Sequence, residues 1–206
     1  KIFQGCSSLD FLEANQILIP LEKLYRRYTG ESLAAKLSDF EDVSERIQYL
    51  VTQVEEITKI DNFGAYLTAM LEIDAFFMNE DRHTNNIAVI YNEKTQKYEL
   101  SPFFDQGLCM FADINQDYPI DQSLEDCLGK IEAKPFCTDF DIQLDAAEEL
   151  YGIQIGFQFT FKDIQVYLQK NSENYPREVI RRVEQLLRMQ MRKYGYLMKK
   201  DIAERK

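Results

Sequence analysis

From Ser32 to about Lys59, the apolar residues Leu33, Leu37, Phe40, Val43, Ile47, Leu50, Val51, Val54 and Ile57 recur at three- and four-residue steps. That spacing predicts a helix with one apolar stripe. A loop at "KIDN" follows, and Asn62 is placed to cap the next helix, "FGAYLTAMLEIDAFFMN". Its apolar residues (Phe63, Tyr66, Leu67, Met70, Leu71, Ile73, Phe76, Phe77) run nearly all the way round, which predicts a central helix buried on most sides. Asp74 lies among them. A buried carboxylate needs a partner, and the loop that the helix delivers is where one is expected.

Upstream, "ANQILIPLEKLYRRYTGES" gives a short apolar run stopped at Pro20 and a helical turn ending near Gly30. Downstream, the period drops to two. "IAVIY" and "KYELS" read as strands and "NEKTQ" as the turn between them, a hairpin over about 87–101. Residues 113–150 are acidic and loop-rich, with a helix expected at "QLDAAEEL". "FTFKDIQVYLQKN" predicts a further helix. Pro176 stands near the start of the last one, whose stripe is Val179, Ile180, Val183, Leu186, Leu187, Tyr194, Leu197 and Met198. There is no internal repeat and no low-complexity linker. The pattern predicts one mainly α domain (α+β) spanning 1–206, helical with a small hairpin in its middle.

Composition sharpens this in a few places. At 206 residues, 45% hydrophobic and 13% aromatic, the chain can bury a substantial core. No apolar run approaches the roughly 18–20 residues that cross a bilayer. The N-terminus lacks a signal-peptide pattern, and the first residue is Lys, so a fragment or processed chain is expected. Cys6, Cys109, Cys127 and Cys137 form no C-x-x-C pair and only one histidine is present, which argues against structural zinc and for reduced thiols in a cytoplasmic protein. The net charge of −11 disfavours non-specific nucleic-acid binding. The charge is uneven, with ten basic and four acidic residues from Arg177 to Lys206. Such a segment is expected to be a solvated helix face; a phosphate or acidic partner is the other reading.

The chemistry-bearing stretch is "FFMNEDRHTNNIAVIYNEKTQKYELSPFFDQG", which holds the single histidine. An apolar run breaks into Asp81-Arg82-His83-Thr84-Asn85-Asn86, returns to strand, and ends at a buried-looking Asp105. Phosphoryl transfer from ATP needs a carboxylate to orient or deprotonate the acceptor hydroxyl. It also needs oxygen ligands that tie magnesium to the phosphates. Protein kinases place the first two of these groups five residues apart in one loop and the third beyond a hairpin. Asp81 and Asn86 have that spacing, and Asp105 follows the hairpin in Asp105-Gln106-Gly107. An Asx-rich loop with an Asp in a turn would read the same way.

These residues resemble the C-terminal lobe of the HipA-like kinases. In that branch the catalytic loop carries an Asp, a His two residues on and an Asn five residues on, and the metal Asp follows a hairpin and a Ser-Pro run. Here they are Asp81, His83, Asn86, then Ser101, Pro102 and Asp105. "DRHTNNIAV" is also similar to the phosphatidylinositol kinases; "LSP" favours the HipA-like side. The resemblance implies a protein kinase-like fold, ATP and Mg2+ as cofactors, and a protein Ser/Thr acceptor. Asp81 and His83 would be catalytic, with Asn86 and Asp105 holding metal and nucleotide. His83 also fits a structural role, bracing the loop, and Arg82 fits either a phosphate contact or an exposed salt bridge. No glycine-rich loop or strand lysine precedes Asp81, so the nucleotide-binding lobe is expected upstream or on a partner chain. A lipid or small-molecule kinase, or an interaction module without catalysis, are the alternatives.

Overall fold

The computed structural model describes residues 8–199; Cys6 and the basic residues from Lys200 onward lie outside that span. The chain divides into two compact units. One comprises Leu9–Cys109 and Glu132–Gln154; the other includes Met110–Ile131 and the chain from Ile155 onward.

The first unit holds a three-stranded antiparallel sheet in the order β1-β2-β3, with β1 at Gln16–Pro20, β2 at Ala88–Asn92 and β3 at Lys97–Leu100. The hairpin is therefore not alone. The short run "QILIP" has too few residues for a helix but pairs along β2 with Ile17 opposite Tyr91 and Ile19 opposite Val89. Pro20 ends the strand opposite Ala88, where its missing N–H costs little, and α1 (Leu21–Thr29) starts at the next residue. The turn between β2 and β3 is closed by Asn92, whose side-chain oxygen accepts from Lys94 and Thr95 N–H.

The helix expected from Ser32 to Lys59 is two helices, α2 (Leu33–Ser38) and α3 (Val43–Thr58). Ser32 caps the first and Asp42 the second, each accepting a backbone N–H three residues on. The break keeps the apolar face in phase. Phe40 stacks on Tyr49 with ring centroids 5.0 Å apart, and its freed carbonyl accepts from the Arg46 guanidinium. Sequence spacing alone therefore reads continuously across it.

α4 (Phe63–Phe77) is the central helix. Phe63, Leu67, Met70, Leu71, Ala75 and Phe76 are buried, packed against α3 and α6 (Phe140–Tyr151). Asn62 does not cap it with its side chain. Its backbone is left-handed at φ 69°, and the Phe63 N–H goes instead to the Glu55 carboxylate of α3 at 3.0 Å.

The second unit contains α5 (Leu124–Leu128), α7 (Phe161–Lys170), α8 (Arg177–Lys193) and a 3-10 turn at Gly195–Leu197. Thr160 and Asp163 form a reciprocal capping box at the start of α7. Two basic residues of α8 have specific partners, one in the interior and one at the surface. Arg182 is buried and donates to the carbonyls of Tyr118, Pro119 and Gln122, and Arg188 lies 4.0 Å from the Phe161 ring centroid. No helix among the described residues is long and apolar enough to cross a membrane.

Candidate active site

The site is built from the C-terminal end of α4. The helix ends at Met78, left-handed at φ 54°, and the chain turns into the loop Asn79–Asn86. Asp74, one turn back and 1% exposed, receives that loop. Its two oxygens accept Arg82 Nε at 2.6 Å and Arg82 Nη2 at 3.0 Å, and Oδ1 also accepts the Asn79 amide at 2.8 Å. The partner for this buried carboxylate is therefore the loop itself. Burial pushes the Asp74 carboxyl above its ordinary value, against the pull of the Arg82 charge and the Asn79 amide.

Arg82 is neither an exposed ion pair nor open to a phosphate. Its side chain is 0% exposed. The nitrogen not used by Asp74 donates to the Asn86 carbonyl at 2.7 Å and to the Phe104 carbonyl at 3.0 Å. One guanidinium thus ties together the helix end, the end of the loop and the residue before Asp105. A second bond, Glu80 N–H to the Leu108 carbonyl at 3.2 Å, brackets Asp105 from the other side. The segment carrying Asp105 therefore runs alongside the loop carrying Asp81.

Within the loop, Asp81 and Asn86 are in direct contact. The Asn86 amide donates to the Asp81 carbonyl at 2.9 Å and to its Oδ2 at 3.4 Å. This engages the Asn86 nitrogen and leaves its oxygen as the side-chain acceptor. Asp81 Oδ1 faces two basic groups, His83 Nε2 at 3.7 Å and Lys134 Nζ at 3.5 Å. The other ring nitrogen of His83 is buried without a hydrogen-bond partner. Asp105 is exposed and left-handed at φ 53°, so the apolar approach from "SPFF" does not bury it. Phe103 stacks on Tyr66 of α4, and buried Ser101 bonds both Tyr66 and the Ala88 carbonyl. The Ser-Pro run fixes the hairpin exit to α4 and delivers Asp105 to the surface.

Sequence reasoning missed two members of this neighbourhood. Glu22, in the first turn of α1, accepts Thr84 Oγ1 at 3.1 Å and Ala34 N–H at 3.0 Å, tying the loop to α1 and α2. Burial alone would raise its carboxyl, but hydrogen bonds from Ala34, Ser32 and Thr84 and the charge of Arg26 outweigh this and hold it below its ordinary value. Lys134 comes from a turn about fifty residues beyond Asp81. Neither has a signal in the local pattern, because both are brought in by long-range packing.

No family model matches the chain, and no curated protein matches it. A solved structure does. The proinflammatory kinase CtkA of Helicobacter pylori superposes with a TM-score of 0.57 at 16% identity, over 89% of this chain and 70% of its own. The fold is kinase-like. A mostly helical body with a small antiparallel sheet agrees with the C-terminal lobe of such a fold.

Proposed function

We propose that this chain is the C-terminal catalytic lobe of a cytoplasmic HipA-like kinase, residues 1–206 forming that lobe, which moves the γ-phosphoryl group of ATP to a Ser or Thr hydroxyl of a protein. The observation that carries the reading is the Arg82 clamp. It ties the Asn86 and Phe104 carbonyls together, so the loop bearing Asp81 and Asn86 and the segment bearing Asp105 share one buried support. A kinase-like fold supports it independently.

In this reading Asp81 accepts the proton of the acceptor hydroxyl. His83, facing the Asp81 carboxylate, orients it. The donor set suits magnesium. Asn86 offers a side-chain oxygen whose amide nitrogen is already engaged. Asp105 offers an exposed carboxylate that makes no hydrogen bond or ion pair among the described residues. A bound Mg2+ would screen the phosphate charge there. The nucleotide's other face would be covered by an N-terminal lobe, carried upstream or by a partner chain.

The test is transfer of labelled γ-phosphate in the intact polypeptide. Asp81→Asn should nearly abolish transfer while leaving Mg-ATP binding largely unchanged, because the lost group acts on the acceptor and not on the metal. A variant that keeps most of its turnover would overturn the assignment of Asp81. Label appearing on lipid vesicles in place of protein would move the acceptor to the lipid class.

A further inference from the structure

Transfer of a phosphoryl group spreads negative charge over its non-bridging oxygens, and a fixed cation beside them is a principal source of rate. The loop Asn79–Asn86 has one permanently charged cation, Arg82, and it is unavailable. Asp74, Asn86 and Phe104 engage it completely in the interior. The cation the fold brings to Asp81 is Lys134. Its Nζ stands 3.5 Å from Asp81 Oδ1 and its side chain is 50% exposed, so an ammonium open to solvent lies beside the carboxylate.

The backbone beneath that ammonium is held from several directions. The Lys134 carbonyl accepts the Gln143 amide of α6 at 3.2 Å, and Gln143 is itself buried. Ala133 N–H closes onto the Thr138 carbonyl at 2.9 Å. The neighbouring Phe136 is buried, and its carbonyl takes the Arg46 guanidinium of α3. Two helices therefore fix the point from which the lysine reaches Asp81. An ion pair this exposed adds little to folding stability, so stability does not explain why the fold holds it there.

We propose that Lys134 is a catalytic residue, its ammonium touching the phosphoryl group in flight; this rests on the kinase reading above. In the step, the acceptor oxygen forms a bond to the γ-phosphorus and the bond from that phosphorus to the β–γ bridging oxygen breaks. The electron pair leaves with ADP, and the hydroxyl proton passes to Asp81. Lys134 exchanges no proton. In the free protein it rests against Asp81, and in the reacting complex it turns its charge to the non-bridging oxygens.

The experiment compares the intact parent polypeptide with Lys134→Ala and Lys134→Arg. It measures kcat and KM for ATP, calorimetric affinity for Mg-ATP and Mg-ADP, and melting temperature. Lys134→Ala should lower kcat by about 10²–10³-fold, with Lys134→Arg recovering part of the loss. ATP affinity should fall roughly tenfold towards that of ADP, since only ATP carries the γ-phosphate that the lysine meets. ADP affinity and melting temperature should stay as in the parent. A Lys134→Ala protein that keeps its kcat and its preference for ATP over ADP would overturn the assignment while leaving the kinase reading standing. A parent without any transfer sensitive to Asp81→Asn would bring down the kinase reading and Lys134 with it.

Discussion

Replacing Arg82 with methionine removes a fully buried guanidinium and strands everything it holds. The Asp74 carboxylate, 1% exposed, loses its bidentate partner, and the carbonyls of Asn86 and Phe104 lose a donor. Breaking a buried ion pair from one side costs about 3–5 kcal/mol. Each carbonyl left dry adds about 1–3 kcal/mol, less whatever water enters. These terms are not additive, and a total of about 4–6 kcal/mol is a fair working figure. Against a typical stability of roughly 5–15 kcal/mol that is a large fraction. The sign of the pH dependence follows from the same structure. With Arg82 gone, burial, which already pushes the Asp74 carboxyl upward, is opposed only by the Asn79 amide. A folded-state pKa raised above the unfolded one means that the folded state holds the extra proton. The deficit of Arg82→Met should therefore be smaller near pH 5 and grow towards about pH 8. Urea unfolding followed by circular dichroism at both pH values measures this. Adding Asp74→Asn removes the stranded charge, so the double variant should be less destabilised than the sum of the two single variants. An Arg82→Met protein within about 1 kcal/mol of the parent at either pH would refute the clamp.

Asp105→Ala should leave the melting temperature nearly unchanged, because the side chain is exposed and unbonded, yet weaken magnesium-dependent ATP binding more than Asn86→Ala does. Calorimetry with and without magnesium checks it; equal ATP affinity in the presence of magnesium would remove Asp105 from the metal. Glu22→Gln should flatten the acid limb of stability. The Glu22 carboxyl is held below its ordinary value of 4.5, so its contribution is present above the unfolded pKa and lost as pH falls through the folded one. Parallel acid titrations would contradict this. Gly64→Ala should cost about 1–3 kcal/mol, since a Cβ there runs into the Tyr151 ring where α4 packs on α6. Recovery of the lost stability by Tyr151→Ala is the check.

The elements legible in the sequence were those with a clean period. α4, the β2–β3 hairpin and α7 fall where the apolar spacing put them, and α8 does up to Lys193, after which Leu197 and Met198 of the expected stripe lie in and beyond a 3-10 turn. The misses share a cause, which is that backbone groups were satisfied by partners outside the local repeat, side chains in two cases and a strand in the third. The break between α2 and α3 depends on Arg46 reaching Phe40, and the start of α4 on Glu55 reaching Phe63. β1 exists because β2 lies beside it, about seventy residues later, and five residues of "QILIP" cannot announce that partner. Local spacing carries a helix face well and carries non-local pairing hardly at all.

The candidate site divides along the same line. Asp81, Asn86 and Asp105 were visible as a spacing, but their surroundings were misjudged in opposite directions. Arg82 looks like a surface residue and lies in the interior; Asp105 looks buried and is exposed. Both errors follow from reading each residue by its immediate neighbours. Arg82 sits in a polar loop, yet that loop folds back on Asp74, and a guanidinium matched to a carboxylate and two carbonyls loses little by leaving water. Asp105 follows four apolar or turn-forming residues, yet Ser101 and Phe103 are themselves drawn towards Tyr66, which turns the next residues outward. The two placements are coupled. The donor that buries Arg82 against the Phe104 carbonyl also fixes the backbone one residue before Asp105, so the interior charge sets where the exterior one stands. Arg82→Lys probes that coupling with little change in total charge. A lysine can meet Asp74 but cannot also span the Asn86 and Phe104 carbonyls, so the variant should keep part of the stability and lose the magnesium-dependent binding that needs Asp105 in place. If Arg82→Lys bound Mg-ATP as the parent does, the support of Asp105 would have to come from the Glu80–Leu108 bond and the contacts of Ser101 and Phe103 with Tyr66.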